Sequence, residues 1–223
     1  MTNIVIATGL PPDIVRNHPI VGYDNVVTAP NLSSTTAQTG FPVTNLANSA
    51  THLVWKGVDG GGDEYVTVAV QAEVDYLAIA RHNLFTVGAT LSVEYESAPS
   101  TWAPLTTPFV PGNNRPLIFR FARAEYSALR LRIQSATADP SIAVLYVGSL
   151  LSIERKIYVG HAPAPLARRA NAVNAVSESG NFLGRIVLSE MNGSQVQLTN
   201  LTPAWVRAKL DPFFVAAQEE PFF

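Results

Sequence analysis

Between residues 64 and 159 short apolar runs recur, each cut off by turn residues, and several alternate strictly. ATLSVEYES (89–97) puts Leu91, Val93 and Tyr95 on one face and Ser92, Glu94 and Glu96 on the other. ALRLRIQ (128–134) turns Leu129, Leu131 and Ile133 inward and Arg130 and Arg132 outward. A period of two marks a strand with one buried face, because successive side chains leave a sheet on opposite sides. The same region holds the β-branched EYVTVAVQ (64–71), PLIFRF (116–121), IERKIYVG (153–160) and the wholly apolar SIAVLYVG (141–148) expected of a central strand. Repeated strands with short spacers predict an antiparallel β-sandwich.

The flanks differ. Residues 1–40, rich in Thr, Asn, Pro and Gly, are expected to form an extended N-terminal arm, with the sandwich over 41–160. After Gly160 the Pro- and Ala-rich HAPAPLARRANAV reads as a linker or docking arm. FLGRIVLSE (182–190) and SQVQLTNL (194–201) are expected to pair through the turn MNGS, since Asn-Gly favours tight hairpin turns. A helix should follow, with Thr202 as its N-cap, Pro203 at its first position, and Trp205, Val206, Leu210 and Phe213 or Phe214 at helical spacing. Pro212 should kink it or restart it with Asp211 as a new cap. Residues 161–223 thus form a smaller β-hairpin-and-helix unit. Its last residues, Phe222 and Phe223, are expected either to be buried against a partner or to lead into a further strand.

Charged residues make up 14% of the 223, well below the about 25% of ordinary soluble domains. Either partner subunits cover much of the surface, or Ser, Thr, Asn and Gln coat it. The net charge of −2 gives no field favouring nucleic acid or an anionic membrane. There is no cysteine, which excludes disulfides, thiolate metal sites and a cysteine nucleophile. The N-terminus lacks a basic region and its apolar run stops at Pro11-Pro12, unlike a signal peptide. No apolar run approaches the ~20 residues of a membrane span.

Chemistry-bearing residues are scattered. His18, His52, His82 and His161 show no metal-ligand spacing. DGGGDE (59–64) lies in an acidic stretch with Asp59, Asp63, Glu64, Glu73 and Asp75, and such a loop can hold Ca²⁺. Its spacing matches no known calcium loop, and a flexible hairpin tip is the simpler reading. No phosphate-binding glycine motif or serine-nucleophile elbow is present. Glu94, Glu96, Glu125 and Glu154 are expected on solvent faces or in turns, so no acid pair stands out for hydrolysis. Trp55, Tyr65 and Trp102 could stack on sugar rings, although Trp102 is expected to plug the end of the sandwich. Arg155, Lys156, Arg168, Arg169 and Arg185 make a locally basic segment without the aromatics that nucleic-acid binding needs. Asp75, Arg81, His82 and Asn83 cluster in DYLAIARHNL (75–84); the alternation makes them a structural corner at a strand exit rather than a site. No catalytic, cofactor-binding or metal-binding residue is assigned, and no enzyme or cofactor is expected.

FPVTNLANSATHLVWKG (41–57), VDYLAIARHNL (74–84), GATLSVEYESAPSTWAPL (88–105), RPLIFRFARAEYSALRLRI (115–133) and SIAVLYVGSLLSIER (141–155) resemble, in order, the galactose-binding-like (discoidin) jelly-roll modules. The resemblance implies structural roles for Trp55 and the apolar positions, and carbohydrate binding through variable loops that match no residue here. Followed by ERKIYVGHAPAPLAR, a hairpin and a Trp-containing helix, the whole resembles tail-tip or baseplate proteins of long-tailed bacteriophages, including distal tail proteins. That likeness implies a structural virion protein forming a sixfold or threefold homo-oligomeric ring. The ring would join tail-tube and baseplate proteins at the tail tip and assemble in the bacterial cytoplasm. The alternative is a carbohydrate-binding module or lectin for cell-surface glycans.

Overall fold

The computed structural model describes residues 3–7, 10, 18–58, 61–134, 136–157, 168–193 and 196–223. In chain order the strands are β1 (Ile4–Ile6), β2 (Ile20–Val21), β3 (Leu32–Ser34), β4 (Trp55–Lys56), β5 (Glu64–His82) and β6 (Thr90–Ala98). They continue with β7 (Thr101–Pro104), β8 (Leu117–Gln134), β9 (Ser141–Gly148), β10 (Leu151–Ser152), β11 (Arg168–Val176) and β12 (Phe182–Asn192). A helical stretch over 203–216 follows.

The long strands β5 and β8 organise the molecule. They pair antiparallel, but the register shifts between Ala69 and Ala72 and again between Val74 and Tyr76. Gln71, inside the first shift, has φ +48°, a left-handed backbone that bends the strand. The bends make two layers from one hydrogen-bonded sheet. In one layer the 64–69 part of β5 and the 128–134 part of β8 lie between β3 and β6, with β7 beyond β6. In the other, the 76–82 part of β5 and the start of β8 lie between β9 and β1, with β4 beyond β9.

The layers close on one core. Val66, Val68, Leu91, Val93, Leu129 and Leu131 of the first pack with Leu77, Ile79, Phe119, Phe121, Ile142 and Leu145 of the second. The mainly β, antiparallel sandwich expected from the alternation is the architecture observed. Sequence runs that look like separate strands, 64–71 with 76–80 and 116–121 with 128–134, are halves of single bent strands. The central-strand expectation for 141–148 holds for a specific reason. Leu145 and Val147 face the core, while Val144 and Tyr146 pack on the opposite face with Tyr76, Ala78 and Leu150. A strand covered on both faces loses its polar alternation.

Two strand expectations need correction. The strand expected over 153–160 is absent among its described residues: the chain instead pairs Leu151–Ser152 with Ile20–Val21, and 158–160 lie outside the described residues. The hairpin joins β11 to β12, not 182–190 to 194–201. Its turn is 177–181, where the Asn181 N–H donates to Ser177 Oγ (3.0 Å) and Gly180 has φ +82°. Leu198 and Leu201 are instead taken by a cluster with Leu151, Ile153, Leu210 and Phe213, which leaves no partner strand for β12 at the Asn-Gly turn.

The helix begins as expected, with Thr202 Oγ1 accepting from the Trp205 N–H (3.4 Å) and Pro203 in the first turn. Pro212 neither breaks it nor makes Asp211 a cap, since Asp211 keeps helical angles (φ −62°, ψ −47°). The turn before it, Val206–Leu210, widens to a π-helix in which the Asp211 N–H reaches the Val206 carbonyl. A wider turn gives the proline ring room against the preceding carbonyls. Phe223 is seated on its own chain: its N–H and carbonyl bond Gly22 reciprocally, both at 2.9 Å, and its ring meets Tyr146 edge-on at 5.3 Å.

Candidate functional site

The cluster at 75–84 divides. His82 is buried, with Nδ1 accepting from the Leu84 N–H (3.3 Å), so Nε2 carries the proton and donates to the Arg115 carbonyl (2.9 Å). Burial holds its pKa below the usual histidine value, against the Arg115 carbonyl, which favours the cation. Asn83 ties two loops together, accepting from the Ser141 N–H (2.8 Å) and donating to the Asp139 carbonyl (2.9 Å). Arg81 takes φ +52° at the strand exit and is exposed. These three residues form the corner. Asp75, at the other end of the stretch, lines a cleft.

The remaining sequence candidates are mostly structural. Trp55 is fully buried and donates to the Thr36 carbonyl (3.0 Å), and Asn45 next to buried Leu46 donates to the Val54 carbonyl (2.8 Å). Trp102 does not plug the sandwich. It is half-buried on an outer face, where it and Tyr65 both stack on the Arg130 guanidinium, at 4.3 and 4.1 Å. Glu94 is not on a solvent face either: it is buried, accepting from Arg130 Nε (2.6 Å) and Arg132 Nη1 (3.3 Å). A paired, buried acid next to a period-2 arginine strand is a cross-strand ladder. Glu125 is exposed, Glu96 accepts from the Ser100 N–H in its own turn, and Glu154 reaches the distant helix start, accepting from the Thr202 N–H and hydroxyl.

Of the acidic loop, residues 59–60 lie outside the described residues. Asp63 is engaged by Arg132 Nε (2.8 Å) and Nη2 (2.6 Å). Burial pushes its carboxyl up, but the Arg132 bonds and charge outweigh this and hold it below the usual carboxylate range. Glu64 turns away to accept from Thr36 (2.8 Å). Among the described residues no three His, Asp or Glu side chains converge as a metal site needs. His18 Nδ1 donates to the Ile153 carbonyl (2.7 Å), His52 is exposed, and His161 lies outside the described residues. Arg155, Lys156, Arg169 and Arg185 are exposed; Arg185 bonds Asn174 (2.7 Å), and nothing gathers them with aromatics.

Polar side chains do converge in one cleft of about 700 Å³. Five stretches build it: His18 with Tyr23 and Asp24 around β2, Asp75 from β5, Arg120 and Arg123 from β8, 149–152 from the β9–β10 connection, and Trp205 and Lys209 from the helix. Its floor is fixed. Asp24 Oδ2 accepts from the Ser149 N–H (3.1 Å), its carbonyl accepts from the Tyr76 hydroxyl (2.5 Å), and Asp75 Oδ1 accepts from the Leu150 N–H (2.7 Å). Gly148 permits this approach, because a Cβ there would stand 2.1 Å from the Asp24 carbonyl oxygen. Asp75 Oδ2 has no hydrogen-bond partner among the described residues. Burial raises the Asp75 pKa, opposed by the Leu150 N–H and by the charges of Arg123 and Arg120. Arg123 also meets Glu73 at 3.3 Å, an exposed pair that leaves its guanidinium open to the cleft.

The cleft therefore offers carboxylate acceptors, guanidinium and ammonium donors, and an indole. None of this was assigned from sequence. The contributing residues are far apart along the chain, and of them only His18, Asp75 and Trp205 stand out in the sequence.

No family model matches the sequence, and no curated protein matches it. Solved structures are similar over little more than half of the chain. One is the CBM32 module of AlyQ in complex with 4,5-unsaturated mannuronic acid, at 16% identity and a TM-score of 0.46 over 56% of this chain and 96% of that one. Another is a CBM32 module of a Clostridium perfringens GH89 protein in complex with GalNAc-β-1,3-galactose, at 8% identity and 0.46, covering 54% and 96%. A third is a pectin-binding carbohydrate-binding module, at 13% identity and 0.44, covering 56% and 90%. The ligands named belong to those proteins.

Proposed function

We propose that this chain is a non-catalytic carbohydrate-binding protein and that the cleft around Asp75 takes a short, acidic saccharide. The carrying observation is the meeting of Asp75, Arg120, Arg123 and Trp205 in one cleft on a rigid sandwich. Sugar hydroxyls are donors and acceptors at once, and a carboxylate beside a guanidinium serves both roles. An indole provides a flat apolar face for a pyranose ring. Arg120, Arg123 and Lys209 line the cleft as cationic donors, with Glu73 already beside Arg123, and a carboxylate on the saccharide would be their complement. Calorimetry with acidic and neutral oligosaccharides tests this. Asp75→Asn keeps an oxygen for the Leu150 N–H, so thermal stability should stay close to wild type while affinity drops at least about tenfold, as for loss of a charged hydrogen bond. An unchanged affinity in both Asp75→Asn and Trp205→Ala, or no hit on a glycan array, overturns the reading.

A second reading is favoured by a different observation, the exposed apolar hairpin at 168–192. Here the chain is a structural virion protein of a phage tail tip or baseplate. The sandwich of 41–160, with β1 and β3 of the 1–40 segment built into its sheet, would be displayed on the assembly unit of 161–223 in a sixfold or threefold ring. Mass measurement and negative-stain imaging after mixing with tail-tube protein test it. A chain that stays monomeric in that mixture sinks it.

A further inference from the structure

The β11–β12 hairpin is a two-stranded sheet that pairs with no other strand among the described residues. Val173, Val176, Phe182, Leu183, Ile186, Val187, Leu188 and Met191 are between 48% and 68% exposed. Both faces carry apolar residues, since Val173 lies opposite Ile186 and the next pair, Ala172 and Val187, faces the other way. Isolated two-stranded ribbons are marginal in water, and open apolar edges are templates for pairing. The eight residues present on the order of 800 Å² of apolar surface divided between the two faces, where a standard stable interface takes about that much from one partner in all.

The same chain carries a matching surface. An apolar groove of about 820 Å³ runs over the outer face of the β9 layer, lined by Ile4, Ala80, Ile118, Val144, Tyr146 and Phe222 among others, with no charged residue. It is bounded by β1, which among the described residues pairs with β8 along one edge only. In β1 Val5 enters the core while Ile4 and Ile6, each 39% exposed, point outward. A strand added beside β1 would gain its free backbone groups and lay alternate side chains over the groove, as in β-strand addition generally.

We infer that the hairpin of one copy adds beside β1 of a second copy and fills its groove. The contact is head-to-tail: ribbon and groove are different surfaces of one chain, so each copy retains one of each for the next. The area of the ribbon, the uncharged lining of the groove and the two open strand edges all favour this occupant. The inference serves either function above, because linked copies make a weak glycan site multivalent as readily as they make a ring. It stands or falls separately from the Asp75 cleft, which is on other residues.

The test uses the full chain and two variants. Ile186→Asp with Leu188→Asp disables the ribbon, and Ile4→Asp disables the groove. Analytical ultracentrifugation of the wild type should show species larger than a monomer. Self-association should weaken at least about thirtyfold in either variant, the range for losing an apolar anchor, while circular dichroism stays unchanged. Mixing the two variants should restore one good interface and give a 1:1 pair that grows no further. Because the chain has no cysteine, Ile186→Cys mixed with Ile4→Cys should form a disulfide between chains. A monomeric wild type, a groove variant that assembles normally (a hairpin-to-hairpin contact), or single-cysteine variants that crosslink only like with like each overturns the inference.

Discussion

The β5–β8 pair and the β11–β12 pair are built alike and end differently. Both are antiparallel and both carry register shifts. In β8 the apolar set, Phe119, Phe121, Leu129 and Leu131, is fully buried; in β12 Phe182, Ile186 and Leu188 are at least 60% exposed. Period-2 patterning specifies a strand and its two faces. Burial requires a second layer, and only the first pair has one. The first pair holds the sandwich and the floor of the cleft, whereas the second is a surface waiting for a partner.

The widest separation between the two should come from large-to-small substitutions. Phe119→Ala, in the core between the layers, should cost about 3–5 kcal/mol in a denaturant titration, from lost burial plus an unfilled cavity. A cost below about 1 kcal/mol would mean that the layers are not packed as described. Next comes Gly148→Ala. The new Cβ would meet the Asp24 carbonyl at 2.1 Å, so backbone must move, for about 1–3 kcal/mol. Saccharide affinity should fall with it, because Asp24 and Ser149 share that contact.

How far the sequence led follows from the same contrast. The strands of 64–148 were legible because their alternation is one-sided and local. Their joining into two bent strands was not, since Gln71 at φ +48° and the shifts around it carry no compositional mark. Trp102 was misplaced because an aromatic at a turn fits either a plug or an outer stack, and the Arg130 beneath it sits 28 positions away in sequence (130 − 102). The hairpin partner was misjudged because Asn192-Gly193 outweighed the weaker turn at Gly180, while the pull of Leu198 and Leu201 into the helix cluster is a long-range effect. The cleft was illegible for the same reason: it gathers residues from 18 to 209, and nothing in any one segment announces it.

His82 tests the corner with a smaller effect and a pH signature. His82→Ala leaves the Arg115 carbonyl and the Leu84 N–H without their partner, for about 1–3 kcal/mol. Burial lowers the His82 pKa in the folded chain, so on acidification the unfolded chain takes up the proton first. Stability should therefore decline as pH falls below about 6.5, the ordinary histidine value. The proton would go to Nδ1, which already accepts from Leu84, so the cation loses that bond. His82→Ala should flatten this part of the pH profile; an equally steep decline in the variant would assign it to another group.

The smallest expected effect is the most informative about the hairpin. Ile186→Ser should change the unfolding free energy by less than about 0.5 kcal/mol at dilutions where the wild type is monomeric. Ile186 is 68% exposed there, so its removal opens no cavity and gives up little burial. The matched substitution Ile133→Ser, in β8 at 1% exposure, should cost several kilocalories, since it also buries a hydroxyl. Hydrogen exchange sharpens the contrast without any substitution. Amides of β5 and β8 should exchange only through global unfolding, while those of β11 and β12 should exchange through local opening. Raising the protein concentration should then slow exchange in the hairpin and at β1, and should slow β5 and β8 as well, because a copy cannot unfold globally without first giving up the contact.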